Sequence, residues 1–126
     1  MSDMKDYTGS FSYTGKYSLQ KDGTRFLVVR EFEYDGKYYH PEKPLKFVFE
    51  NRIEEDGGSW VSVTCEAISG KNGGMNVEEA LGNALMDAAL LHEELINLEG
   101  PMTERLKAIQ DSIRLWKVHA IDSKAQ

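Results

Sequence analysis

The residues of this chain best equipped for chemistry are three histidines, His40, His92 and His119, one cysteine, Cys65, and a glycine-rich run, GKNGG at 70–74. His92 opens HEELI at 92–96, which begins like the helical zinc motif H-E-x-x-H. That motif grips its metal between two histidines one helical turn apart, and Ile96 stands where the second must be. The histidines fall on separate predicted elements and a lone cysteine cannot complete a site, so neither a metal nor another cofactor is expected. His92 reads instead as a solvent-side helix residue, and His119 as a residue near a helix C-terminus, where a cation suits the dipole. The glycine run lacks the G-x-x-x-x-G-K-[ST] spacing of a phosphate loop, because Lys71 precedes the second glycine pair and no Ser or Thr follows. Glu78 and Glu79 then occupy the first turn of the predicted helix, where they compensate its dipole and repel a phosphate. The run is expected to turn the chain. No G-x-S-x-G elbow is present, and Ser62, Thr64 and Cys65 lie inside a predicted strand rather than at its end. The paired acids Glu54 and Glu55 sit beside a hairpin turn and read as solvated. The chain is therefore expected not to be an enzyme.

Composition narrows the class. The 126 residues fit a single domain, 1–126, with 40% apolar and 29% charged side chains. No run approaches the roughly 18 apolar residues that span a bilayer, and the N-terminal MSDMKDYTG has no hydrophobic signal region. With one cysteine and no internal disulfide, a reducing cytoplasm is the expected compartment. Cys65 lies in an apolar-alternating run and reads as a small core residue. The net charge of −6 is unevenly spread: seven acids and no Lys or Arg fall between Asn72 and Glu104, and five bases follow. Phosphate binding needs clustered cations, so direct DNA or RNA binding is not expected.

The elements that must position these residues follow from periodicity. Asp-Gly recurs in QKDGTR, EYDGKY and EEDGGS between alternating apolar segments, the mark of hairpin turns. Phe11, Tyr13, Tyr17 and Leu19 start the alternation; Phe26, Val28, Phe32 and Tyr34 share the next face; Leu45, Phe47, Phe49 and Ile53, then Val61, Val63, Cys65 and Ala67, follow. Strands are predicted near 9–20, 24–34, 45–55 and 59–68, with a stub at 37–40 ended by HPEKP. From Val77 the period turns helical, with Leu81, Ala84, Leu85, Ala88, Leu91, Leu95 and Leu98 on one stripe, Asn76 and Glu79 as a capping-box-like start and Gly100-Pro101 as the stop. A second helix is predicted over 103–121, its seam running through Leu106, Ile109, Ile113, Trp116 and Ala120. The expected fold is α+β: an antiparallel four- to five-stranded β-meander covered by the helix at 77–99, then a second C-terminal helix. The units within it are an N-terminal hairpin at 8–34, a core at 45–99 and the C-terminal helix.

What remains at the surface suits a protein partner. Tyr38, Tyr39 and His40 form an aromatic run beside a proline-containing loop, and tyrosine is favoured as an interface anchor. Glu79, Asp87, Glu93 and Glu94, within a stripe that also holds Glu78 and Glu99, suit a basic protein, or alternatively face the basic second helix within the chain. Ile109, Ile113 and Trp116 are the candidate interface of a possible homodimer.

One stretch points to a family. From Leu45 to about Leu91 come LKFVFENRIE, EDGGSWVSV, a glycine-containing loop and NVEEALGNAL. This order resembles the HicB-type antitoxin domain, whose pattern is an acidic-Gly turn, a strand with an aromatic, and a T-x-E-E-A-L-x-N-A helix start. Asp56, Gly57, Gly58 and Trp60 match the turn and aromatic; Glu78, Glu79, Ala80, Leu81, Asn83 and Ala84 match the helix opening. The resemblance implies a non-catalytic inhibitor that blocks a small, basic, RNA-cleaving toxin by occlusion. Two alternatives stand beside it: a phage-encoded, anti-CRISPR-like inhibitor of a nuclease defence complex, and a homo-oligomeric assembly protein. An adjacent gene for a small basic toxin, or a setting among phage genes, separates the first two.

Overall fold

A computed structural model describes residues 11–53 and 55–120. The first residues of the predicted N-terminal hairpin, Glu54 of the predicted acid pair, and residue 121 of the predicted second helix lie outside the described residues. In chain order the elements are β1 (Phe11–Leu19), β2 (Arg25–Tyr34), β3 (Lys37–His40), β4 (Leu45–Ile53), β5 (Ser59–Cys65), a 3-10 turn at Glu66–Ile68, β6 (Gly70–Gly74), α1 (Val77–Leu95), α2 (Glu104–Ile113) and β7 (Lys117–Ala120).

The expected meander under a long helix is overturned. The seven described strands form one antiparallel, curled half-barrel ordered β6-β5-β4-β2-β3-β7, with β1 also on β2. Arg25–Val29 pair with both β1 and β4, so these two flank β2 on opposite edges. β3 and β4 lie end to end along one edge, because Tyr39 faces Phe32 and Leu45 faces Val29. The five residues 40–44 thus span only Arg30 and Glu31 of β2, and residues 41–44 loop out of the ladder. Pro41 and Pro44 have no N–H to give to it. The sheet consequently divides into a β4-β5-β6 arm and a β3-β7 arm.

Two strands escaped the periodicity reading. GKNGG does not turn the chain; it pairs residue by residue with Val61–Cys65 as edge strand β6. The second helix ends at Ile113, not 121. A turn in which Trp116 N–H donates to Ile113 O preserves the helical spacing of Trp116, after which Lys117–Ala120 extend along β3. The predicted face of β2 is also corrected. The β1–β2 register slips by one between Thr14 and Gly15, leaving Arg30 as the extra residue of a bulge. Alternation resets there, so Leu27, Val29, Phe32 and Tyr34 are buried while Phe26 and Val28 face the other side.

Of the three Asp-Gly turns, only Asp35-Gly36 is a two-residue loop with both residues at positive φ, 51° and 86°. The others are longer and lean on the aspartate side chain: Asp22 Oδ1 accepts from Thr24 N and Asp56 Oδ1 from Gly58 N, each at 2.9 Å.

Helix α1 begins as its sequence implies. Asn76 Oδ1 accepts from Glu79 N at 2.8 Å, and Glu79 Oε1 accepts from Met75 N at 2.9 Å. Its first turn lies on β6, where a Cβ on Gly74 would press against Ala80 N at 2.7 Å. Asn83 Nδ2 donates to Gly73 O at 2.8 Å. At its other end His92 meets Tyr39 of β3, so α1 reaches from one arm to the other. Buried Gln110 of α2 closes the helix, Nε2 donating to Leu95 O at 2.8 Å and Leu98 O at 2.9 Å. The core joins Val29, Phe32, Phe47 and Phe49 of the sheet to Leu85 and Ala88 of α1 and Ile113 of α2. Among the described residues no helix is long and apolar enough to cross a membrane.

Candidate interaction surface

The acids of α1 divide by job. Glu79 is half-buried in the cap, and half-buried Asp87 accepts from Asn72 Nδ2 of β6 at 3.4 Å, so both hold α1 to its surroundings. Glu78, Glu93, Glu94 and Glu99 are exposed, with Leu90 and Leu98 (47% and 43% exposed) among the last three. None of these acids forms an ion pair with a described residue. No ion pair joins them to α2 among the described residues, and Arg105, Lys107 and Arg114 have other partners. Arg105 donates to Ser69 Oγ at 2.7 Å and Glu66 O at 3.0 Å, Arg114 to Ile96 O at 3.0 Å, and Lys107 pairs with Asp111 at 3.2 Å.

The aromatic run is split by strand alternation. Tyr39 points inward, 4% exposed and stacked on Phe32 with ring centroids 4.9 Å apart, which removes it as a surface anchor. Tyr38 and His40 are half-buried on the outer face. Register sets Tyr38 opposite His119, and the three rings gather: His40 and His119 stack at 5.1 Å, with Tyr38 5.4 Å from His119. Glu31 Oε2 lies 3.1 Å from His40 Nδ1. His119 therefore stands on a strand, not at a helix end, and two histidines distant in sequence are neighbours. Among the described residues no group of three or more His, Cys, Asp or Glu is arranged to hold a metal ion.

His92 is not on the solvent side. It is 9% exposed, stacked on Trp116 at 5.6 Å and edge-on to Tyr39 at 5.8 Å. Burial, then the Lys37 charge, holds its pKa below the ordinary histidine value, and Glu93 opposes this. Ile109, Ile113 and Trp116 are buried inside the chain's own core, so the proposed seam offers no apolar surface to a second copy. Cys65 borders a cavity of about 960 Å³ between β4–β5 and α2, lined also by Lys46, Glu66, Lys71 and Arg105. Burial pushes the Cys65 thiol up, which keeps it protonated and poorly nucleophilic.

The surface that periodicity missed is β1. Tyr13, Tyr17 and Leu19 lie on the face that carries Leu27, Val29 and Phe32, yet are 44%, 51% and 66% exposed. Alternation placed them on the core side without revealing that no layer of described residues covers it. Trp60, Ile53 and Met75 are also exposed, near the far ends of β4, β5 and β6. No family model, characterised protein or solved structure matches the chain.

Proposed function

We propose that the chain is a non-catalytic, cytoplasmic binding protein that inhibits a basic nucleic-acid-processing partner by occlusion, in the manner of the HicB-type antitoxins that residues 45–91 resemble. The observation that carries this reading is the acidic surface at the C-terminal end of α1, whose acids form no ion pair with a described residue. Glu93 and Glu94 on α1 and Glu99 just beyond it are exposed, as are Leu90 and Leu98, while Arg105, Lys107 and Arg114 have other partners. A patch of one sign with exposed apolar residues steers an oppositely charged groove and then desolvates against it. On the outer face half-buried Tyr38 and His40, with exposed His119, form a second, smaller anchor.

The test is capture from the native host by wild type and by Glu93→Lys/Glu94→Lys. Both positions are exposed, so the fold is expected to survive. The expected result is a stoichiometric basic protein on the wild type alone, bound more weakly as salt rises. The same proteins on both baits, or no stoichiometric protein at low salt, refutes the reading.

A further inference from the structure

Among the described residues β1 pairs only with β2, so along Ser12–Leu19 the alternate backbone N–H and C=O groups that point away from β2 face an open edge. Native proteins blunt such edges with proline, bulges or several charges. Here the strand has no proline, its bulge lies on β2, and its one charge is Lys16. The strand also reads nearly the same in both directions. FSYTGKYSL is close to a palindrome about Gly15: Tyr13 mirrors Tyr17, Ser12 mirrors Ser18, and Phe11 mirrors Leu19.

We propose that β1 is a homodimer interface, in which two copies pair antiparallel about a twofold axis through Gly15 and join their sheets edge to edge. In that register Tyr13 faces Tyr17 of the second copy, Ser12 faces Ser18, and Lys16 faces Thr14, so no like charges stand directly opposite. Antiparallel partners share a face, so the aromatic pairs form on the core side, where cross-strand aromatic contacts are favourable. Gly15 at the axis is held small by β2, since a Cβ there would overlap Val28 O. The isologous geometry is the one closed dimers use. A buried aromatic side chain covers about 150–250 Å², so two half-exposed tyrosines and one leucine per copy contribute roughly 500 Å². With the paired backbone added, the interface reaches about 1,000 Å², the lower limit for a specific contact. The dimer is therefore reversible and concentration-dependent. It is independent of the partner reading above, and it would set two acidic α1 faces on the same side of a continuous sheet.

Sedimentation velocity from low micromolar to millimolar protein tests it. The wild type is expected to rise from 14.3 kDa toward twice that mass. Tyr13→Lys/Tyr17→Lys sets lysine against lysine in both pairs and is expected to stay monomeric. Tyr13→Lys/Tyr17→Glu sets lysine against glutamate in both pairs and is expected to dimerise again. A wild type that is monomeric throughout, or two variants that behave alike, overturns the proposal. A second measurement serves if either variant fails to fold. Ser12→Cys and Ser18→Cys chains, mixed in equal parts and oxidised, are expected to cross-link to each other but not to themselves. Position 12 faces position 18, and the two copies of position 12 stand about 20 Å apart. Like chains cross-linking as fast as unlike ones also overturns it.

Discussion

Replacing Gln110 by methionine isolates the joint between the two helices. Gln110 is 1% exposed, and its single Nε2 serves Leu95 O at 2.8 Å and Leu98 O at 2.9 Å. Methionine nearly matches its length and volume, so the cavity contribution is small and the loss is chiefly of two hydrogen bonds. Each such bond contributes about 0.5–1.5 kcal/mol, and a carbonyl left dry costs about 1–3 kcal/mol. Arg114, bonded to Ile96 O at 3.0 Å, still ties this segment down and limits the damage. The expected cost is about 2–3 kcal/mol, a fall in midpoint of roughly 6–15 °C for a chain of this size. Urea unfolding with an unchanged m-value measures it, and Lys107→Ala, which removes a long 3.4 Å contact to Gln110 Oε1 and an exposed ion pair with Asp111, is the control. A loss below about 0.5 kcal/mol, no greater than an ordinary surface change, refutes the claim that Gln110 closes α1.

Two further outcomes follow from the same geometry. His92 resists protonation in the fold, so the unfolded chain binds its proton first. Its contribution is present above the ordinary histidine pKa and is lost as pH falls from there to the lowered folded value. Within that window the slope reaches at most about 1.4 kcal/mol per pH unit. Urea midpoints from pH 8 to 5 should fall less steeply for His92→Phe than for the wild type; parallel curves contradict this. Gly74→Ala is expected to cost about 1–3 kcal/mol, because its Cβ falls 2.7 Å from Ala80 N and 2.9 Å from Glu79 Cβ. Thermal unfolding reads the cost, and an unchanged midpoint would mean that α1 does not need the bare backbone of β6.

What the sequence disclosed and what it hid divide along physical lines. Local signals were legible: Asn76 caps α1, Asp35-Gly36 makes the tight turn, and Leu45, Phe47 and Phe49 keep their alternation. Non-local pairing was hidden. GKNGG has no side-chain alternation to read, and it becomes a strand only because Val61–Cys65 offer it an edge and Gly74 admits α1. Residues 117–120 lie in a helical period, yet β3 supplies a ladder that a four-residue stretch cannot announce. The Arg30 bulge moved Phe26 and Val28 off the core face, which no count of period two detects. Of the site residues, the exposure of Glu93 and Glu94 was legible from charge. The inward turn of Tyr39 and the meeting of His40 with His119 depended on register with β2 and β7.

The bare face of β1 follows from the same register. Strands lie about 4.8 Å apart, so the row β6-β5-β4-β2-β1 is about 19 Å wide. A helix about 10 Å across covers roughly half of that. Nor is α1 free to centre itself: Asn83 and the Gly74 contact fix its start over β6, while His92, Trp116 and Gln110 fix its end toward β3–β7. The anchors that bind α1 to both arms on one side of β2 leave the strand on the other side without a lid. A helix long enough to bridge the arms is still too narrow to shield β1, so among the described residues Tyr13 and Tyr17 lie beyond the helical layer. A second copy of the same strand, read in the opposite direction, is the cover whose side chains already match.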